Sequence, residues 1–258
     1  MEVVSAIEAI WNHRNASRIT IINMSLGGPG VDSLMDEYIS ESVNRGIYVV
    51  VAAGNDGKNA CNYYPSHSKD AITVGSVDDT DKISLFSNTG SCVDIFTRGY
   101  YLQTTASNGA TIRQTGTSFA APLASGVLAV LASEHPTIFS DARKGMYAFL
   151  NLATTGKIKG VIGGTPNKLV FVNETNAIDL SKYVPTAIST VARFQPVPTV
   201  QVEEPTFIID QPAVSTSAAK PVPTTTIQLG RKATIPSSSF QLASVHLPVA
   251  LLVFLFLF

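Results

Sequence analysis

Residues 47–53 read Ile-Tyr-Val-Val-Val-Ala-Ala, an uninterrupted apolar run that leads into Gly54-Asn55. A strand that is apolar at every position must be covered on both faces, which is typical of the centre of a parallel sheet. We therefore predict a central parallel strand at this point. Ligands of open α/β sheets bind outside the carboxyl ends of such strands, so Asn55 is a candidate for a functional site.

The sequence on either side of this strand alternates between helix and strand patterns. Apolar residues recur at helical spacing over residues 3–11, 34–43 and 140–152. Asp32 or Ser33 can cap the second of these helices, and Gly46 can end it. Short apolar runs predict further strands at residues 19–24, 72–77, 93–96 and 169–172. This alternation predicts an α/β three-layer sandwich with a mostly parallel central sheet.

Composition divides the 258 residues into three segments. Packed elements fill residues 1–175, which we assign to one domain. Residues 176–242 are rich in Pro, Ser and Thr and are predicted to be a disordered linker or stalk. With 18 Lys and Arg against 19 Asp and Glu, the chain has no field that would recruit nucleic acid or an anionic membrane, and we expect a monomer without a nucleic-acid partner.

The third segment, residues 243–258, ends in a run of twelve uncharged residues from Leu247 to Phe258. As a helix this run would rise about 18 Å, too little to cross a hydrocarbon core of about 30 Å. Ser237-Ser238-Ser239 precedes it at the spacing of a signal that is exchanged for a glycolipid (GPI) anchor, and the alternative is an end without a role. The acidic start at Met1-Glu2 is no secretory signal, so an anchor would require residues upstream of Met1.

The clearest chemical motif is residues 116–122, Gly-Thr-Ser-Phe-Ala-Ala-Pro, which enters an apolar helix. A helix that is apolar all round is predicted to be buried, and Pro122 is tolerated in its first turn. Ser118 then lies at a helix N-terminus, where free amides and the helix dipole favour a developing anion. Gly116 removes a side chain where a substrate carbonyl would approach.

Two other stretches complete the candidate site. Asn55 follows Ala52-Ala53-Gly54, and its side-chain amide can donate to an oxyanion together with the Ser118 backbone amide. Residues 23–28, Asn-Met-Ser-Leu-Gly-Gly, leave backbone exposed to which an extended peptide can pair. Each stretch alone also fits a simple cap, turn or loop. Their order along one chain is the informative feature.

In that order the motifs resemble the subtilisin-like serine peptidases, the subtilase family, and in particular its fungal proteinase K and cerevisin branch. The resemblance covers residues 1 to about 173 and includes Phe86-Ser87-Asn88, residues 93–96 and Thr165-Pro166-Asn167. It implies a subtilisin-like fold that is N-terminally truncated. It also implies Ser118 as nucleophile and Asn55 as oxyanion amide. The implied substrate-binding residues are Ser25, Leu26, Gly27, Ala52, Ala53 and Gly54.

The family's catalytic aspartate and histidine lie in motifs that this sequence does not contain. A serine hydroxyl needs a base to become nucleophilic. Of the four histidines, His67 is the least unsuitable substitute. The chain also has Phe119 and Leu123 where the family usually has methionine and histidine; we expect repacking there and a packing role for Gly126. We predict that the chain does not hydrolyse peptides alone.

The resemblance implies two further features. Asp94, with the carbonyls of Lys69 and Ala71, falls where proteinase K-like members bind calcium, and the alternative is that Asp94 caps a turn. Cys61 and Cys92 match cysteines of cerevisin-like members and are either disulfide-bonded or inert thiols. Catalysis itself requires no cofactor.

The sequence therefore predicts a serine endopeptidase acting on peptide or protein substrates, represented by an incomplete catalytic domain. The alternative is an inactive pseudopeptidase or relic that serves as a surface or cell-wall component. We expect the secretory pathway, with the exterior, the cell surface or the vacuole as destination.

Overall fold

The computed structural model describes residues 2–170, 241–246 and 250–256. Its helices are α1 Glu2–His13, α2 Ser33–Asn44, α3 Thr117–Glu134, α4 Pro136–Phe139 and α5 Ala142–Leu152. Its strands are β1 Ile19–Ser25, β2 Gly28–Pro29, β3 Ile47–Ala52, β4 Tyr63–Tyr64, β5 Ile72–Val77, β6 Ile95–Arg98, β7 Leu102–Thr105, β8 Thr111–Gln114, β9 Thr154–Thr155, β10 Lys168–Leu169, β11 Gln241–His246 and β12 Ala250–Phe256.

The main sheet has eight strands in the order β11-β12-β1-β3-β5-β6-β10-β9. The six strands from β12 to β10 run parallel, and only β11 and β9 at the two ends are antiparallel. All six residues of β3 are buried, as the apolar run predicts. The α/β architecture with a mostly parallel central sheet is thus confirmed.

The predicted limits of α2 are confirmed in atomic detail. The Asp32 carboxylate accepts a hydrogen bond of 3.1 Å from the Met35 amide and caps the helix. Gly46, at φ +78°, adopts the left-handed conformation that follows many helix ends. Only Arg45 and Gly46 therefore separate the end of the helix from the start of β3, which fixes how its buried face meets the sheet.

Helix α3 contacts β1, β3, β5 and β6 and is the main helix of the core. Its composition predicts burial on all sides, and this prediction is wrong, because Leu123 and Val130 are 45% and 44% exposed. The expected packing role of Gly126 is also wrong within the described residues, because no atom there lies within 4 Å of the site of a Cβ on this residue. One face of α3 therefore remains apolar and open.

Other boundaries differ from the sequence prediction. Strand β6 begins two residues later than predicted, and β10 covers only Lys168–Leu169. The hairpin of β7 and β8 is not predicted, and neither is the pairing of β12 with β1. Of the predicted stalk, residues 176–240 lie outside the described part of the chain, whereas residues 241 and 242 belong to β11.

A test of the core uses two helical glycines. In α5, a Cβ on Gly145 would lie 1.8 Å from the Tyr48 hydroxyl, which is buried and donates 2.8 Å to the Phe139 carbonyl. We expect Gly145→Ala to lower the free energy of unfolding by about 1–3 kcal/mol through this overlap. Gly126→Ala is the control and should be neutral or raise stability by up to about 1 kcal/mol, because alanine favours helix. Chemical denaturation measures both; equal effects would contradict this packing.

Candidate active site

The sequence-predicted site residues lie together at the carboxyl ends of β1 and β3. A cleft of about 290 Å³ is lined by Ser118, Asn55 and all six predicted substrate-binding residues: Ser25, Leu26, Gly27, Ala52, Ala53 and Gly54. Gly28, from the predicted peptide-pairing stretch 23–28, also lines the cleft, whereas sequence reasoning missed four others, Asp56, Tyr63, Tyr64 and Ser66. The tyrosines enter the cleft because β4 pairs with β2, a two-residue contact that no sequence pattern indicates.

The orientation of Asn55 is set by the residue before the candidate nucleophile. Its Oδ1 accepts two hydrogen bonds of 2.8 Å, one from the backbone amide of Thr117 and one from the Thr117 hydroxyl. Because the oxygen is held on this side, the Nδ2 group is left to donate elsewhere. A Cβ on Gly116 would lie 3.6 Å from Nδ2, at ordinary van der Waals distance, so Gly116 lies directly beside the donor.

Asn88 holds the loop on which Asn55 lies. Its Nδ2 donates 2.9 Å to the Ala53 carbonyl, and its Oδ1 accepts from the amides of Asp56 and Lys58. Gly54, at φ +101°, has room for no side chain, because a Cβ would lie 2.3 Å from Asn88 Nδ2. The Gly54 amide donates 3.2 Å to the Thr117 hydroxyl. The end of β3 is therefore tied to the start of α3.

A buried polar chain joins Ser118 to β1. The Ser25 hydroxyl donates 2.8 Å to the Ser118 carbonyl, and Asn23 Nδ2 donates 2.9 Å to Ser25 Oγ. Ser125, about two helical turns further along α3, donates 3.2 Å to Asn23 Oδ1. Asn23 and Ser125 are fully buried, so water does not compete for their hydrogen bonds. The first two turns of α3 are thereby held by β1.

No histidine lines the cleft among the described residues. His67 Nε2 lies 2.6 Å from Asp36 of α2, and Nδ1 lies 3.0 Å from the Tyr63 carbonyl. Both ring nitrogens of His67 are therefore engaged away from Ser118. His13 ends α1 and His135 caps the far end of α3. In the described part of the chain no group makes a hydrogen bond to Ser118 Oγ.

Asp94 lies beside β5, apart from the cleft. Its Oδ2 accepts 2.8 Å from the Thr73 amide, two residues after Ala71 and four after Lys69. Burial raises the pKa of Asp94 to about 6, although the Thr73 hydrogen bond and the charge of Lys168 oppose this. The described residues contain no group of three or more His, Cys, Asp or Glu side chains that could hold a metal ion, so a cation at Asp94 would rely on backbone carbonyls.

Cys61 and Cys92 are joined by a disulfide with their Cα atoms 5.2 Å apart. The bridge connects the short 3₁₀ turn Ala60–Asn62 to the segment before β6. It therefore links the loop that follows Asn55 to the loop that follows Asn88. No free cysteine remains in the described residues.

Comparison with known proteins gives the same family as the motifs. A model described as the subtilase family matches residues 1–169. The chain is 36% identical over 161 residues to the alkaline serine exoprotease A of Vibrio alginolyticus, covering 62% of this chain and 29% of that protein. It is 38% identical over 168 residues to the alkaline proteinase of Hapsidospora chrysogena, covering 64% and 40% respectively.

The solved crystal structure of a cold-adapted subtilisin-like serine proteinase is similar in fold. It has a TM-score of 0.60 and 31% identity, over 66% of this chain and 60% of the other. The chain thus spans less than half the length of the curated relatives it matches. With a family match over most of its length, the motifs in the family's order and a subtilisin-like sheet, this chain belongs to the subtilase family.

Proposed function

We propose that the cleft is the acylation half of a serine endopeptidase site, with Ser118 as nucleophile and the side-chain amide of Asn55 as oxyanion donor. The observation that carries this proposal is the orientation of Asn55, whose oxygen is occupied by Thr117 while its Nδ2 is left to donate. An amide fixed in this way needs no reorganisation when charge develops on a substrate oxygen.

The proposed reaction is peptide-bond hydrolysis through an acyl-enzyme. Ser118 Oγ attacks the substrate carbonyl carbon while a base removes the hydroxyl proton. Asn55 Nδ2 and the Ser118 backbone amide, at the N-terminus of α3, donate to the oxygen that becomes negative. The amine leaves with the proton, and water then attacks the acyl carbon and releases Ser118.

The remaining cleft residues fit an extended peptide substrate. Ser25 ends β1 and forms one wall together with Leu26 and Gly27, to which a substrate strand would pair through its backbone. Ala52-Ala53-Gly54 form the side of the first specificity pocket, and Tyr63 and Tyr64 narrow it from β4. These small residues beside two aromatic rings favour a substrate side chain that is apolar and extended.

The base is the missing part of the proposal. Among the described residues Asp56 is the only ionisable acid lining the cleft, and no histidine lies there. We place the histidine and its aspartate in sequence outside this chain and expect the chain alone to be inactive. The second candidate function is a non-catalytic surface component, and it is favoured by the same open hydroxyl of Ser118.

We also place the protein in the secretory pathway. Support comes from the Cys61–Cys92 disulfide, which persists in oxidising compartments, and from a relative in Thermus named extracellular serine proteinase, 38% identical over 167 residues. A vacuolar destination is a narrower version of this proposal. Glycolipid attachment is a competing version, because it would remove the apolar C-terminal run. The functional unit proposed is a monomer acting on peptides.

Asp94 is the proposed ligand of a structural calcium ion, with the carbonyls of Lys69 and Ala71. The fit rests on an oxygen donor set and on a partly buried carboxylate whose Oδ1 accepts no hydrogen bond from the described residues. A bound cation would compensate the cost of ionising this carboxylate. It would stabilise the loop before β5 and take no part in catalysis.

A fluorophosphonate probe tests the catalytic proposal, because it captures Ser118 only when the hydroxyl is activated. We expect negligible labelling of the chain alone and an increase of at least about 10-fold when imidazole is supplied as an external base. Ser118→Ala should abolish the imidazole-dependent signal. Ser133→Ala, the same change near the other end of α3, is the control and should label like the parent.

Asn55 and Thr117 are tested in the same assay. Asn55→Asp should reduce imidazole-supported labelling about 100-fold, the loss that follows removal of one oxyanion donor in subtilisin. Thr117→Val removes one of the two hydrogen bonds to Asn55 and should reduce it about 10-fold, whereas Thr117→Ser should not. Rapid labelling without imidazole would contradict the absent base, and unchanged labelling of Asn55→Asp would contradict the oxyanion assignment.

The calcium proposal predicts a change in thermal stability. Because the folded pKa of Asp94 is raised from 3.8 to about 6, stability from this group is greatest below pH 4 and falls as pH rises to about 6, by at most about 3 kcal/mol. Calcium at millimolar concentration should raise the Tm at pH 7.5 by about 5 °C. Asp94→Asn should abolish both effects in scanning calorimetry with chelator or calcium. A calcium response that survives in Asp94→Asn would refute the site.

A further inference from the structure

The apolar C-terminal run forms a strand of the main sheet. Strand β12 pairs in parallel with all seven residues of β1, from Ile19 opposite Ala250 to Ser25 opposite Phe256. Strand β11 then pairs antiparallel with β12, from Gln241 opposite Phe256 to His246 opposite Leu251. We call strands β11 and β12 together the C-terminal hairpin. It supplies two of the eight strands.

The sequence of the hairpin suits the positions of its two strands. Strand β12, Ala-Leu-Leu-Val-Phe-Leu-Phe, has a neighbour on each side and contains no polar residue, as is typical of an interior parallel strand. Strand β11 lies at the edge and includes Gln241, Ser244 and His246. Polar residues on an edge strand discourage further pairing. Pro248, which cannot donate to a ladder, lies between the strands.

Strand β1 needs such a partner. Six of the seven residues of β1 are buried. Strand β3 pairs with one edge of β1 and leaves the other edge to a different partner. A long apolar strand with an open edge is a template for aggregation. The family match ends at residue 169, whereas the hairpin begins at residue 241. The strand that covers β1 in this chain therefore comes from outside the region that matches the family.

The hairpin also ends beside the candidate cleft. Because β12 runs parallel to β1, its carboxyl end lies at the same sheet edge as Ser25, whose hydroxyl donates to the Ser118 carbonyl. If another strand paired with β1 in the same direction, the residues that follow that strand would lie near Ser25. An apolar strand delivers no proton acceptor there.

We propose that the outer edge of β1 is a strand-docking site and that its occupant is the C-terminal hairpin of the same chain. The hairpin closes the sheet and takes the position next to Ser25, so a strand from a second copy or from another polypeptide must displace it. The apolar C-terminal run is then a folding element of the domain. This inference does not depend on Ser118 being catalytic.

Cross-linking tests the register without disrupting the fold. Thr20 lies opposite Leu251, and facing residues of paired strands are about 5 Å apart, within the range that a disulfide can join. We expect Thr20→Cys/Leu251→Cys in the full chain to form an intrachain bridge under mild oxidation. Thr20→Cys/Phe254→Cys, displaced by about 10 Å along the strand, is the control and should form at least 10-fold less. Mass spectrometry of non-reduced peptides measures both.

Three results would overturn the proposal. Equal bridging in the two variants, or none in either, would mean that β12 does not pair with β1 in this register. Bridges that join two chains would assign the site to a second copy. An intact mass that lacks the hairpin, after expression in a secretory host, would mean that the segment is removed during maturation.

Hydrogen exchange gives an independent measurement. Leu252→Pro removes a ladder hydrogen bond at the middle of β12 and should speed exchange of about half of the β1 amides, residues 19–25, by at least 10-fold. Leu252→Ile, which keeps both the amide and the apolar character, should exchange like the parent. Unchanged β1 protection in Leu252→Pro would refute the docking of the hairpin.

Discussion

Two hydrogen bonds from Thr117 to Asn55 Oδ1 join the end of the central strand to the start of the core helix. These residues are 62 positions apart in sequence and meet only because β3 and α3 end and begin at the same edge of the sheet. Everything proposed for the cleft depends on this contact, since it selects which end of the Asn55 carboxamide is left to donate. A rotated amide would place a carbonyl oxygen, and repulsion, where an oxyanion must be stabilised.

The surrounding contacts keep that geometry rigid. Asn88 holds the loop of Asn55 through the Ala53 carbonyl, and Ser25 of β1, itself bonded to Asn23, holds the Ser118 carbonyl. Buried, fully paired polar groups of this kind have few alternative arrangements, because breaking one bond leaves another group unsatisfied. The half-site is thus organised before any substrate binds, and what it lacks is a proton acceptor.

Local patterns were sufficient to predict most of the framework. The unbroken apolar run of β3 and the Asp32 cap of α2 follow from short-range chemistry, whereas the grouping of Ser25, Asn55 and Ser118 rests on the resemblance to the subtilase family. Contacts made at long range were not predictable in this way. Thr117 and Asn88 belong to motifs of the family resemblance, but no sequence pattern indicates the hydrogen bonds that Thr117 makes to Asn55 and Asn88 makes to its loop. The pairing of β2 with β4 is too short to leave a periodic signal.

The C-terminal run shows the same limit more clearly. Its length excludes a membrane-spanning helix, but composition alone does not separate a buried parallel strand from a lipid-directed signal. What distinguishes them is the outer edge of β1, which offers a place for the strand and lies more than 200 residues earlier in the sequence. The exposed face of α3 is a second example. Composition predicts that this helix is buried on all sides, but apolar residues such as Leu123 stay exposed where no described element covers them.

A crystal structure of the chain with a peptide boronic acid, grown with imidazole as the external base, would test the central claim most directly. The boronate mimics the tetrahedral intermediate and places one oxygen where the oxyanion forms. Bonding of boron to Ser118 Oγ, with that oxygen within about 3 Å of Asn55 Nδ2, is the expected result. Boron bound at another residue, or an Asn55 amide turned away from the adduct, would contradict the assignment of these two residues to one acyl-transfer site.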